Sequence, residues 1–128
     1  MRSAWGQTRV VEPEVLLPGN AVALAVFERV RSALEALGPL EVRTSKSQVA
    51  FRRVRGFAYL WVPGLYLRRP GADVVLSFAL GRRAESGRFK EVVHPSPRHW
   101  MHHLEIQGVD DVDDEVVGWL REAAERAT

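Results

Sequence analysis

The sequence predicts an α+β domain: a five- to six-stranded, mostly antiparallel sheet arranged as a meander, flanked by an N-terminal and a C-terminal helix. Three observations lead there. Apolar residues recur at helical spacing from Val22 to Leu37 and again from Val116 to Ala127, and between them the period drops to two. The strand-like runs are joined by short turns, which suit antiparallel neighbours, because a parallel pair needs a long crossover. Finally, 128 residues with 46% apolar and 27% charged side chains are enough for one ordinary core. Helices segregated from strands read as a sheet with both helices covering one face.

Residues 1–19 hold Gly6, Pro13, Pro18 and Gly19 with little periodicity and read as an extended arm. In it, Trp5 and Val15-Leu16-Leu17 supply apolar anchors to the body formed by residues 20–128. Asn20 is the expected N-cap of the first helix. Val22, Val26, Phe27, Val30, Leu34 and Leu37 form its buried stripe, and Gly38-Pro39 ends it. A short strand over residues 40–43 leads into the turn Thr44-Ser45-Lys46-Ser47, and residues 48–54 form the next strand. After Arg55-Gly56, residues 57–62 alternate Phe57, Tyr59 and Trp61 against Ala58, Leu60 and Val62. Pro63-Gly64 breaks this strand, a short one covers residues 66–68, and Pro70-Gly71 turns again.

Residues 73–80 give the clearest strand, with Val74, Leu76, Phe78 and Leu80 on one side. A polar loop over residues 81–87 and a weaker strand over residues 88–93 follow. His94-Pro95-Ser96-Pro97 is expected to interrupt pairing, since proline lacks the amide donor. Residues 98–106 form the last strand, with Trp100, His102, Leu104 and Ile106 on one face. Residues 110–114 open the second helix, where acids favour the positive end of the helix dipole and Asp111 with Asp114 has capping-box spacing. Val116, Leu120, Ala123, Ala124 and Ala127 make its buried stripe, and Gly118 within it suggests close packing.

The net charge of +2 conceals a segregation. Residues 1–42 carry a net −1, residues 43–90 a net +9, and residues 91–128 a net −6. The absence of cysteine removes disulfides, thiolate zinc sites, cysteine nucleophiles and iron–sulfur clusters. No signal-peptide pattern and no run of about 20 apolar residues appears, so the expectation is a soluble, cytoplasmic protein with no membrane partner. Sixteen of the eighteen basic residues are arginine, which suits bidentate contact with phosphate or carboxylate, but their spread over many segments favours the codon bias of a high-GC genome.

Two stretches resemble a known family. Thr44-Ser45-Lys46-Ser47-Gln48-Val49-Ala50-Phe51 resembles the T/S-S-K-S-x-I/V-x-F stretch of the bacterial family catalogued as DUF5655, a domain of unknown function. His102-His103-Leu104, the acidic helix entry Asp111 to Val116, and Trp119-Leu120-Arg121-Glu122-Ala123 are similar to that family's ending. Ala124 stands where the family usually has tyrosine, and the likeness spans about residues 20–127. The resemblance implies a small α+β domain and no particular activity.

The candidate site is an anion-binding turn and its surroundings. Arg43, Lys46 and Arg52 would supply charge, Thr44, Ser45 and Ser47 hydroxyls, and His103 a polar contact from a later strand. It lacks the glycines and the following helix of a phosphate loop. The alternative for the turn is a polar hairpin whose hydroxyls bond their own backbone.

The favoured reading is therefore a non-catalytic binding module for an anionic small molecule or partner, with no catalytic residue, metal ligand or cofactor assigned. Nucleic acid is the first alternative, suggested by the basic middle with its interleaved aromatics and by Arg52-Arg53, Arg68-Arg69 and Arg82-Arg83 at strand ends. An enzyme using His94, His99, His102 and His103 is the second, with His99, His103 and Glu105 sharing a face in two-histidine, one-carboxylate fashion. The opposed basic and acidic segments also suit a homodimer, or a contact within one molecule.

Overall fold

The computed structural model of the protein describes residues 21–45, 48–62 and 74–128. Helix α1 (Ala21–Glu35) buries Ala23, Val26, Phe27, Val30 and Leu34, the stripe expected from the spacing. Two further turn bonds, Ala36 N–H to Ser32 O and Leu37 N–H to Leu34 O, carry the chain to Gly38. There φ is +138°, a conformation only glycine adopts without strain. The expected cap Asn20, the arm over residues 1–19, the strand over residues 66–68 and the two Pro-Gly turns lie outside the described residues.

Among the described residues six strands follow: β1 (Glu41–Thr44), β2 (Gln48–Arg52), β3 (Gly56–Trp61), β4 (Val74–Leu80), β5 (Glu91–Ser96) and β6 (His99–Ile106). They form one sheet in the order β1-β2-β3-β4-β6-β5, and every pairing is antiparallel. The expected α+β fold is the observed one. The first four strands follow chain order; β5 then runs at the far edge, and β6 returns between β4 and β5. Helix α2 (Asp114–Arg126) closes the chain after a short 3-10 turn, Val109–Asp111.

Local differences from the sequence expectation each have a physical cause. Phe57 is an extra residue in β3, because Phe51 pairs with Ala58 while Arg52 pairs with Gly56. This bulge breaks the expected alternation, so Phe57 joins the core together with Ala58 and Leu60. The His94-Pro95-Ser96 run does not end a strand, as expected, but belongs to β5. Proline is tolerated there because β5 is an edge strand and its register shifts between Val93 and Ser96. The cap of α2 is Asp113, whose Oδ1 accepts from Val116 N–H at 3.1 Å, and not the Asp111–Asp114 pair. Asp111 instead holds the preceding turn, accepting from Gln107 N–H at 2.8 Å.

The core lies between the helices and one face of the sheet. Val49, Phe51, Leu60, Leu76, Phe78, Leu80, Leu104 and Ile106 meet Val26, Phe27, Val30 and Leu34 of α1 and Val116, Trp119, Leu120 and Ala123 of α2. Phe27 stacks on Phe51 with ring centroids 6.0 Å apart. Phe78, Phe89, His102 and Trp119 form a second aromatic cluster with centroids 4.8 to 6.0 Å apart.

Gly118 is not at a close approach. It is exposed, and a Cβ added there meets nothing within 4 Å. Replacing Gly118 by alanine is therefore expected to stabilise the protein by about 1 kcal/mol through helix propensity alone. Urea denaturation checks this; an unchanged or lowered midpoint would refute it.

Candidate functional site

Among the described residues both helices pack on one face of the sheet, and no described helix lies on the other, which is called the helix-free face in that sense. The opposite face is set out by alternation and register. One row crosses all six strands: Arg43, Ala50, Tyr59, Ser77, His103 and Glu91 are successive cross-strand partners from β1 to β5. A parallel row runs Gln48, Trp61, Val75 and Glu105. On the other side of the first row, Glu41 pairs with Arg52, Ala79 with Met101, and Met101 in turn with Val93. Val75 and Ala79 are 2% and 8% exposed, yet neither is part of the core cluster that the helices build.

At the β1 end, the guanidiniums of Arg43 and Arg52 both reach Glu41 Oε1, through Nε at 3.3 and 3.2 Å. Tyr59 lies back along β3 so that its hydroxyl covers Gly56, and Arg52 Nη1 approaches the same glycine. A side chain at position 56 would displace the phenol, whose oxygen stands where its Cβ would lie, whereas Arg52 Nη1 at 3.4 Å is at ordinary contact distance. Toward the other end, Ser77, 4% exposed, bonds His103 Nδ1 through Oγ at 2.7 Å. Burial pushes the His103 imidazole toward its neutral form, and the charge of Glu91 opposes that effect.

The sequence-predicted residues divide accordingly. Arg43, Arg52 and His103 share the helix-free face. His103 is four strand spacings from Arg43, about 19 Å, so the two cannot grip one small ion together. Thr44 faces the other way, opposite Val49, buried with its hydroxyl unpartnered. Ser45 closes the β1–β2 turn, its N–H and its hydroxyl both donating to Gln48 O, at 2.9 and 3.3 Å. That is the self-bonded hairpin behaviour. Lys46 and Ser47 lie outside the described residues. Sequence reasoning missed Tyr59 and Ser77 as members of this face, because alternation alone did not say which side of β3 and β4 the helices would cover.

The four histidines diverge. His94 stacks on Trp100 with centroids 3.6 Å apart, and His99 Nδ1 sits 3.5 Å from Arg126 Nη2. His102 is buried on the core side, whereas His103 holds Ser77 on the other. Among the described residues, no three histidine or acidic side chains come together as a metal site.

Much of the basic middle meets the acidic end of the same chain. Arg88 Nη1 bridges Asp113 and Glu115 at 3.0 and 2.8 Å, and its Nη2 donates to Asp111 O at 2.9 Å. Arg82 grips Glu122 with two bonds of 2.9 and 2.8 Å. Lys90 reaches Glu105 at 3.2 Å. Arg88, together with the Val116 N–H, holds the Asp113 carboxyl below its ordinary range. Arg53 and Arg55 serve neither an acid nor the helix-free face. They donate to carbonyls at the end of α2, Ala124 O at 3.4 Å and Arg126 O at 2.9 Å, where a helix dipole favours cations. Among the described residues, Arg52 and Arg53 thus serve different partners from Arg82; Arg68 and Arg69 lie outside the described residues.

Searches of curated proteins and of solved structures find no match to this chain. The family described as Domain of unknown function (DUF5655) matches over residues 14–126, nearly the whole chain, and the protein belongs to that family.

Proposed function

We propose that this chain is a non-catalytic binding module that takes an anionic ligand or partner at the β1–β2 end of the helix-free face. The observation that supports it is the convergence of two guanidiniums, those of Arg43 and Arg52, beside Glu41 at this end of the face. The rest of the basic middle offers less. Arg82, Arg88 and Lys90 are paired with acids, and Arg53 and Arg55 are held by carbonyls. Guanidinium forks suit phosphate and carboxylate groups, and Tyr59 places a phenol beside Arg52. In this reading Lys46, Ser45 and Ser47 belong to the contact from the turn, and His103 contributes only to a ligand long enough to cross the sheet. Nucleic acid is less well supported, since Glu41, Glu91 and Glu105 lie on the same face and would repel a polyanion.

Calorimetric titration with inorganic sulfate and pyrophosphate tests the proposal. Pyrophosphate is expected to bind more tightly than sulfate, and the double variant Arg43→Gln with Arg52→Gln to weaken it about tenfold or more. Lys46→Glu should abolish binding if the turn takes part. Equal binding by wild type and the double variant, or no heat at low salt with either anion, rejects the reading.

A further inference from the structure

A groove opens at the end of the sheet where β1 begins and β2 ends. Its volume is about 410 Å³, within the roughly 300–1,000 Å³ of small-molecule pockets. Pro39, Leu40 and Val54 supply its apolar wall, and Glu41, Arg52 and Arg53 border it. Val54 is 78% exposed, Pro39 is exposed and Leu40 is half-buried, so the wall stands open to solvent.

The walls come from separate segments that backbone and guanidinium bonds hold in place. The main-chain N–H of Val54 donates to Ala127 O and that of Arg53 to Arg55 O, each at 3.0 Å, which fixes the turn after β2 with the Val54 side chain outward. Arg53 donates to Leu37 O and Pro39 O at 3.2 Å and to Ala124 O at 3.4 Å, so its fork is spent on tying the exit of α1 to the end of α2. Arg52 differs. Among the described residues its bond goes to Glu41 and uses Nε, which leaves the two terminal nitrogens of the fork for a ligand. An unspent guanidinium edge thus stands beside an apolar wall that is already formed, and such preorganisation lowers the cost of binding.

We infer that the ligand of this site is a small amphipathic anion, its acidic group on the terminal nitrogens of Arg52 and its apolar body in the groove against Pro39, Leu40 and Val54. The inference rests on the proposed function, shares Arg52 with it, and names the chemical class of the ligand. An inorganic anion uses the charge and leaves the wall wet. A neutral apolar molecule covers the wall and leaves the fork to water. Only a molecule with both parts uses both. Carboxylate and phosphate each fit the fork through two parallel N–H···O bonds. Glu41 holds Nε and with it the plane of the guanidinium, and its charge disfavours an acid on that edge, which directs the ligand to the terminal one. The fixed charge of Arg53 adds attraction from the far side of the groove. A volume of this size admits a single ring or branched chain with its acid group.

Amide-resolved NMR titration of the full chain with two matched pairs tests the inference: phenyl phosphate against inorganic phosphate, and phenylacetate against acetate. In at least one pair the aryl anion is expected to bind about tenfold more tightly than its simple counterpart, with the largest shifts at Leu40, Glu41, Arg53 and Val54. The pair that shows the gain identifies the acid as phosphate or carboxylate. Val54→Ser should erase most of the advantage, and Arg52→Gln should weaken both members of the pair; the spectra themselves show that each variant is folded. Benzyl alcohol, which carries the ring without the charge, should bind about tenfold more weakly than the aryl anion. Aryl and simple anions that bind alike overturn the inference. So does an advantage that survives Val54→Ser, or benzyl alcohol binding as tightly as the aryl anion. The two readings separate. Pyrophosphate binding that depends on Arg43 and Arg52, with no aryl advantage in either pair, keeps the proposed function and loses the amphipathic ligand. An aryl advantage erased by Val54→Ser but indifferent to Arg52→Gln rejects the anion at Arg52 and overturns both.

Discussion

Replacing His102 by alanine is expected to cost about 4 kcal/mol of stability, enough to unfold much of a marginal domain at physiological temperature. His102 is fully buried, stacked 5.4 Å from Phe78 with the rings 9° from parallel, and tilted against Phe89 at 4.8 Å. Both ring nitrogens are committed. Nδ1–H donates to Trp100 O, and Nε2 accepts from Ala84 N–H, each at 3.0 Å. The imidazole is therefore neutral with one tautomer selected. Alanine removes the stacked ring and leaves a buried N–H and a carbonyl unpaired, so a cavity loss and a polar loss add. His102→Phe keeps the ring and loses only the bonds, and should cost about 2 kcal/mol.

The same residue sets a pH dependence. Burial lowers the His102 pKa from its ordinary value, so below about pH 6.5 the unfolded chain binds a proton that the folded chain does not. The contribution is fully present above that pH and is lost progressively as the pH falls toward the depressed folded value. His103, shifted in the same direction, adds to the trend. Urea melts at pH 7.5 and 5.5 should show the wild type losing stability on acidification and His102→Phe losing less. Equal losses in the two proteins would remove His102 as the source.

The second large effect belongs to Arg53. Its guanidinium donates to Leu37 O at 3.2 Å, to Pro39 O at 3.2 Å and to Ala124 O at 3.4 Å. One side chain thus ties the exit of α1 to the last turn of α2. It passes close over Gly38, where an added Cβ would lie 3.1 Å from Nη2. Arg53→Met keeps the aliphatic stem and removes every donor, and should cost about 2–3 kcal/mol. Arg53→Lys, a single rotatable ammonium in place of a planar fork, should recover only part of that. Chemical denaturation measures both. A methionine variant within about 0.5 kcal/mol of wild type would show that water replaces the guanidinium without loss.

Arg53 also shows where charge patterning misleads. In the sequence it is one of eleven basic residues within residues 43–90, and the +9 of that segment points toward a partner. In the fold, Arg53 and Arg55 cap α2, while Arg82 and Arg88 bind acids of the same helix or of its entry. The acidic helix entry likewise has two uses at once, since Asp113 caps the helix and holds Arg88. No spacing rule reveals such pairs. Arg88 and Glu115 are 27 residues apart, and only the path of residues 81–90 past the start of α2 brings them together.

Of the site, Arg43, Arg52 and His103 were legible as polar positions on strands, and alternation placed His103 opposite to His102. Their separation was not legible, because it depends on how many strands lie between β1 and β6. That number was set by β6 entering the sheet beside β4 rather than at the edge. Thr44 looked like part of the turn chemistry, but one residue of register sends its hydroxyl to the core side opposite Val49.

Periodicity by itself determined the two helices among the described residues, the succession of strands between them and the identity of most core residues. Each of these follows from local geometry: 3.6 residues per helical turn, two per strand repeat, and the conformational limits of glycine and proline. Tertiary structure decided the bulge that turns Phe57 inward, the fate of the basic segment, and the separation of Arg43 and Arg52 from His103 on the helix-free face. Those properties depend on which strands become neighbours. Neighbour choice is settled by burying the whole apolar set against both helices at once, an outcome that no single segment of the chain encodes.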